Sequence, residues 1–218
     1  MKLIRRYRGK ISRSSRVSFS ECGEDIILET ILSMAKIDRF TWIDVGANHP
    51  VKANDFFRAY LNGLQGLSVD PLPELTHLYR KFRKREVFLT AAVSPEECKL
   101  YLARNAEHRL SKTTTNHLEG CEVTTVTPKQ LAILIRDDLP LVIKVDIEGL
   151  DLQLAQAFIN FRNLSLLIVE TFEGIQGRNE DIRNFESALG NAFIKCAMTP
   201  LNSFYVATSV WPFVKLNN

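Results

Sequence analysis

Three acidic constellations in this chain stand where a carboxylate is costly unless something binds or pairs it. The first is Thr41-Trp42-Ile43-Asp44-Val45-Gly46-Ala47-Asn48, an apolar run with one carboxylate inside it and a glycine behind it. The second is Gly66-Leu67-Ser68-Val69-Asp70, which ends in an acid. The third, Val142-Ile143-Lys144-Val145-Asp146-Ile147-Glu148-Gly149, delivers Lys144, Asp146 and Glu148 at alternate positions, hence on one side of the chain while it is extended. Each run has the length and apolar content of a buried strand, and open α/β sheets bind ligands outside the carboxyl ends of such strands. Charges placed there incur desolvation that ordinary packing avoids. A structural salt bridge between Lys144 and one acid is the competing account. Glu170, ending Leu167-Ile168-Val169, is expected beside this group as a fourth member.

The first two runs point to a nucleoside-type ligand. Asp70, at the end of the second strand, is placed to accept both hydroxyls of a ribose, although a turn acid before Pro71 would look the same. A dinucleotide site usually shows three glycines, because the backbone must approach a pyrophosphate closely. Here Gly46 stands alone in the loop Asp44-Val45-Gly46-Ala47-Asn48-His49-Pro50. S-adenosylmethionine has no diphosphate; Asp44 could meet its ammonium, and the amides after Gly46, at Ala47 and Asn48, its carboxylate. A nicotinamide-dependent oxidoreductase is disfavoured by the missing glycines.

The elements that must position these residues follow from periodicity. Ile27, Ile31 and Met34 fall at helical spacing over 24–34, an entry helix ahead of the strand Thr41–Val45. Phe56, Phe57, Tyr60 and Leu61 mark a short helix that Asn62-Gly63 closes, and a strand follows at Leu67–Val69. Pro73-Glu74 opens a helix with Leu75, Leu78, Tyr79 and Phe82 on one face, and Val87–Val93 is the third strand. Residues 98–126 break the rhythm: Cys98–Ala103 and Glu122–Val126 read as strands flanking a polar stretch, a hairpin-like insertion. A helix through Leu131, Leu134 and Ile135, a strand at Leu139–Val145, a helix from Leu150 to Phe161 and a strand at Leu166–Val169 follow. A helix through Ile182, Phe185 and Leu189 then leads to an antiparallel pair, Phe193–Met198 and Phe204–Thr208. Such alternation favours a doubly wound, mostly parallel α/β sheet with right-handed crossovers.

With 218 residues, 45% hydrophobic and 24% charged, the chain has the composition of an ordinary globular protein with one substantial core. The net charge of +3 conceals an asymmetry, since Lys2, Arg5, Arg6, Arg8, Lys10, Arg13 and Arg16 precede any acid. Residues 1–17 are therefore expected to be a basic, solvated tail and residues 18–218 one domain. The sharper alternative is a weak contact of the tail with an anionic membrane surface; a nucleic-acid partner is not expected. The tail lacks the apolar core of a secretory signal and no run approaches a membrane span, so a cytoplasmic location is expected. Cys22, Cys98, Cys121 and Cys196 show no metal spacing and are expected to be reduced and mostly buried.

Taken together these residues resemble the FkbM family of S-adenosylmethionine-dependent methyltransferases. The resemblance spans about Ser18 to Thr208. It rests on Ser20 with Gly23-Glu24-Asp25-Ile26-Ile27-Leu28, on Ile43-Asp44-Val45-Gly46-Ala47-Asn48 with His49-Pro50, on Val69-Asp70-Pro71, on Ala91-Ala92-Val93-Ser94, and on Lys144-Val145-Asp146-Ile147-Glu148-Gly149. The last block is similar to the family's K-x-D-x-E-G hallmark. The resemblance implies a class I methyltransferase fold, Rossmann-like and doubly wound, with a seven-stranded sheet whose last strand is antiparallel. It implies methyl transfer to a hydroxyl of a sugar, glycan or related small acceptor. It implies that Gly46 and its neighbours and Asp70 hold the cofactor, that Ala92 and Ser94 border the adenine, and that Asp146 sits near the transferable methyl. Gly23 and Glu24 would close over the cofactor from the entry helix. Glu21, where the family commonly has Gln, and Ala53-Asn54-Asp55, where it often has Ser-Asn-Thr, are departures that support a non-catalytic cofactor-binding or scaffold protein as the alternative.

Methyl transfer from a sulfonium is an in-line displacement, so the acceptor oxygen, methyl carbon and sulfur must be aligned and the hydroxyl proton removed. Asp146 and Glu148 are the first candidates for the base, then Glu170, with His49, His108 and His117 behind them. Arg104, Arg109 and Lys112 of the insertion could contact an acidic acceptor. No spacing demands a metal, although Asp146 and Glu170 are compatible with a divalent ion.

Overall fold

Alternating apolar strands and amphipathic helices build a sheet with a helical layer on each face. The computed structural model describes residues 16–104, 111–115, 120–136, 138–147, 149–172 and 178–213. In chain order the described elements are α1 (Glu24–Met34), β1 (Thr41–Val45), α2 (Phe57–Leu61), β2 (Leu67–Asp70), α3 (Leu75–Phe82), β3 (Val87–Thr90), β4 (Ala92–Val93), β5 (Leu100–Arg104), β6 (Ser111–Thr114), β7 (Cys121–Val123), β8 (Thr125–Val126), α4 (Pro128–Ala132), β9 (Leu141–Val145), α5 (Asp151–Phe158), β10 (Leu164–Glu170), α6 (Arg178–Leu189), β11 (Phe193–Met198) and β12 (Asn202–Ala207). The main sheet has seven strands in the order β11-β12-β10-β9-β1-β2-β3. β12 runs antiparallel to β10 and β11, and the pairs among β10, β9, β1, β2 and β3 are parallel. This order and these directions are those of a class I, Rossmann-like methyltransferase fold.

Strand alternation sorts the core into two layers. Trp42, Val142, Leu166, Ile168, Phe204 and Val206 face Leu28, Ile31 and Leu32 of α1 and Phe56 and Ala59 at α2. Ile43, Val45, Ile143, Val145, Leu167 and Val169 face the other way, onto Leu154 and Phe158 of α5 and Phe185 and Leu189 of α6. Both β1 and β9 are buried at every position, as parallel strands covered on two faces must be. The register places Asp44 beside Lys144 across β1 and β9, and Glu170 opposite Asn202 across β10 and β12. The charged side chains of β1, β9 and β10 lie near the carboxyl ends of those strands.

Several boundaries differ from those the sequence suggests. The run 87–93 is two strands: the amide of Ala91 still bonds the Asp70 carbonyl at 3.2 Å, whereas that of Ala92 turns to Thr124 at 2.8 Å, so β4 pairs with β8 outside the main sheet. Glu122–Val126 divides in the same way, β7 pairing with β5 and β8 with β4. The insertion is a three-stranded sheet ordered β6-β5-β7 rather than a simple hairpin. The helix expected through Leu134 and Ile135 ends at Ala132; Thr127 and Gln130 form a capping box with Pro128 at its first turn, and Ile133 and Leu134 are exposed beyond it. Three of the four cysteines, Cys22, Cys98 and Cys121, are exposed rather than buried because they lie on loop and edge segments, and all four are free. No helix among the described residues is long and apolar enough to cross a membrane.

Candidate functional site

A cleft of about 310 Å³ opens at the carboxyl ends of β1, β2, β9 and β10, where the strand order reverses on either side of β1. Its walls include Glu24, Gly46, Ala47, Asn48, Asp70, Ala92, Asp146 and Glu170, all singled out by the sequence. Gly23 and Ser94 are adjacent to lining residues without lining the cleft themselves, and Asp44, which is buried, does not line it either. Glu148, His108, Arg109 and His117 lie outside the described residues, as do residues 1–15 of the basic tail.

The loop after β1 is shaped by its own hydrogen bonds. The amides of Gly46 and Ala47 both donate to the Val69 carbonyl, at 3.0 and 3.1 Å, and that of Asn48 donates to Asp70 Oδ2 at 3.0 Å. The amides expected to receive a ligand carboxylate are therefore committed to β2. Gly46 is required for another reason: with φ at 76°, a Cβ there would lie 1.7 Å from the Asp146 carbonyl oxygen. The glycine lets the end of β9 approach the loop. Asp70 accepts a second amide, from Leu72 to Oδ1 at 2.9 Å, so both carboxylate oxygens are fixed while each keeps a lone pair for a ligand. Burial raises its pKa, opposed by the Leu72 and Asn48 amides.

Lys144 organises the acids around it. It is 7% exposed, donates to Asp146 Oδ2 at 2.8 Å, and lies 3.6 Å from Asp55 Oδ2. Burial alone would lower the pKa of its ammonium, but Asp146, Asp55 and Asp44 outweigh burial and hold it well above the usual value. Burial pushes Asp55 up to about 6 despite Lys144 and a hydrogen bond with Ser20. Asp44 is raised by burial against the pull of Lys144 and Arg83. Lys144 is thus salt-bridged, and its partner Asp146 lines the cleft.

Asn54 links this network to the scaffold. Its Nδ2 donates to the Ala47 carbonyl at 3.2 Å and to Asp44 Oδ2 at 3.5 Å, and its Oδ1 accepts from Arg83 Nη1 at 2.8 Å. Arg83 is fully buried, ion-paired with Glu86 and 5.5 Å from the ring centroids of Trp42, Tyr60 and Tyr79. Glu24 also lines the cleft, and its carboxylate accepts from Thr199 Oγ1 and from the Cys22 amide, both at 2.8 Å. These bonds tie α1 to the turn between β11 and β12. His49 does not line the cleft; its Nδ1 accepts the amides of Val51 and Lys52, both at 3.1 Å, and burial followed by the Lys52 charge lowers its pKa.

Four further residues enter the site. Asp55 and Glu21, visible in the sequence only as departures from the family pattern, both line the cleft. Asn202, with no motif around it, lines it opposite Glu170. Asp151 places a carboxylate oxygen near those of Asp146 and Glu170, all within 4.8 Å of one another. Among the described lining residues six are acids, Glu21, Glu24, Asp55, Asp70, Asp146 and Glu170, and Lys144 is the basic one.

No family model matches the chain, and no curated protein matches it. Among solved structures it is similar to a mutant of MtNAS at 11% identity and a TM-score of 0.39, covering 84% of this chain and 59% of that one. A Thermobifida fusca protein assigned as a methyltransferase is similar at 12% identity and a TM-score of 0.41, with 84% of this chain and 79% of that one covered. A DUF574 family protein from Streptomyces avermitilis is similar at 8% identity and a TM-score of 0.41, over 84% and 80% of the two chains. With TM-scores of this size, the fold is read from strand order and direction alone.

Proposed function

We propose that this chain is an S-adenosylmethionine-dependent methyltransferase of the FkbM type that methylates a hydroxyl of a sugar, glycan or related small acceptor. The observation that carries this is the charge of the cleft, six acids to one lysine. A dinucleotide brings two phosphate charges that such walls repel, whereas a ligand with a sulfonium and an ammonium is net positive and is attracted. The donor set fits it further, because Asp70 presents two anchored oxygens at the end of β2, where a ribose would lie. When bound, S-adenosylmethionine supplies an electrophilic methyl whose transfer leaves a neutral thioether.

This chain's own residues supply position and charge. Asp70 would hold the ribose, and Ala91, Ala92 and Val93 offer the apolar wall an adenine needs. Lys144 fixes Asp146 at the acceptor end by donating to its Oδ2. Asp146 or Glu170 would accept the hydroxyl proton as the acceptor oxygen attacks. Side chains already held in place by hydrogen bonds and ion pairs require little reorganisation during transfer.

Titration of the purified protein with S-adenosylmethionine and with NAD, followed calorimetrically, tests the reading. Saturable binding of S-adenosylmethionine that weakens with salt, and none of NAD, is expected. Binding of NAD without S-adenosylmethionine would refute it. Mass spectrometry of products from labelled cofactor and a panel of glycans and small hydroxylated compounds then identifies the acceptor.

A further inference from the structure

We propose that Asp146, Asp151, Glu170 and Asn202 bind a divalent cation at the acceptor end of the cleft. The fold brings them together from neighbouring elements: Asp146 follows β9, Asp151 opens α5, Glu170 ends β10, and Asn202 begins β12 directly opposite Glu170. One carboxylate oxygen from each of the three acids lies within 4.8 Å of the others. Opposite ligands of one hard cation are about 4.2 to 4.8 Å apart, given metal–oxygen distances of about 2.1 to 2.4 Å, so a single ion spans the group.

Two of the three acids are oriented by groups outside the cluster. Asp151 is 1% exposed, and its two oxygens accept the amides of Ile147 at 2.6 Å and Gly149 at 3.2 Å. Asp146 is held through Oδ2 by Lys144 at 2.8 Å. Such anchoring fixes the orientation of the two carboxylates.

Asn202 is the independent sign of a ligand. It lines the same cleft, is 5% exposed, and its buried Oδ1 has no hydrogen-bond partner among the described residues. A buried amide oxygen without a donor is costly, and a cation or a water bound to one relieves that cost. All four side chains offer oxygen, the donor preferred by Mg²⁺, Mn²⁺ and Ca²⁺ over softer metals. The Asp146 side chain is 35% exposed, so coordination positions face the cleft. On the methyl-transfer reading, those positions would hold the acceptor hydroxyl and lower its pKa.

The test is Mn²⁺ binding to the full chain after EDTA treatment, without cofactor or acceptor, followed by the electron paramagnetic resonance of free Mn²⁺. One saturable site competed by Mg²⁺ is expected. Glu170→Gln should weaken it about tenfold or more, and Asn202→Leu severalfold. Glu21→Gln, another cleft acid outside the group, should leave it within about twofold. Asp146→Asn gives a second reading of the site if Glu170→Gln fails to fold, and circular dichroism checks both. Absence of saturation by about 1 mM Mn²⁺, or equal weakening by Glu21→Gln and Glu170→Gln, overturns the site. Binding of S-adenosylmethionine without Mn²⁺ would sink this proposal alone; Mn²⁺ binding without S-adenosylmethionine would sink the methyltransferase reading alone.

Discussion

Replacing Gly46 with alanine should damage this protein far more than the same change at another left-handed glycine. Two costs are superposed at Gly46. Its φ of 76° is a conformation alanine adopts at a cost of about 1 to 2 kcal/mol. The new Cβ would also sit 1.7 Å from the Asp146 carbonyl oxygen and 2.8 Å from its carbon, both backbone atoms, so β9 and the loop must part. Overpacking of this kind adds about 1 to 3 kcal/mol, for a total of about 2 to 5. Gly63 provides the control, having φ at 90° but nothing within 4 Å of its would-be Cβ. Gly63→Ala should therefore cost only the conformational part, about 1 to 2 kcal/mol. Urea denaturation of both variants, with unchanged m values, separates the steric contribution from the conformational one. The displaced Asp146 should also weaken S-adenosylmethionine binding in Gly46→Ala and not in Gly63→Ala. Equal midpoints for the two variants would show that β9 does not press against the loop as described.

Lys144→Met should destabilise the fold by about 3 kcal/mol or more at pH 8, because Asp55, Asp44 and Asp146 lose their shared cation. The loss should shrink at pH 5, where Asp55 can protonate, and equal losses at both pH values would argue against the network. Asp55, raised from 3.8 to about 6, holds its proton longer folded than unfolded. The stability it contributes is therefore full below about pH 4 and declines by up to about 3 kcal/mol as pH rises to 6. Wild type minus Asp55→Asn, measured by denaturation from pH 4 to 7, should show that decline; a flat difference would refute it. Asp70→Ala should weaken S-adenosylmethionine binding about tenfold through lost ribose contacts, whereas Asp146→Asn should lower kcat more than affinity. Calorimetry and steady-state rates on a found acceptor decide this, and matching effects on both constants from both variants would contradict the division of roles.

The first site residues were legible because strand ends advertise themselves. Asp44, Asp70, Lys144 and Asp146 interrupt or close apolar runs, and a charge in such a run has few reasons to be there. Their periodicity also carried the main sheet, since strands buried on both faces read as continuous apolar segments. The insertion was harder: whether 87–93 and 122–126 are whole strands or broken ones depends on which neighbour accepts the Ala92 amide, and that partner, Thr124, is distant in the chain.

What the sequence by itself determined was the alternation of strands and helices, the acids at the strand ends and the absence of a diphosphate-type glycine loop. Those are local properties of burial period and residue type. Only the tertiary structure decided that the loop amides belong to β2, that Asp44 is buried beside Asn54, and that Asp55 shares Lys144. It likewise brought Asp151 and Asn202 to Glu170. Hydrogen bonds and charges act through space over a few ångströms, so the partner of each acid is fixed by which strands lie side by side, an order that no single stretch of chain contains.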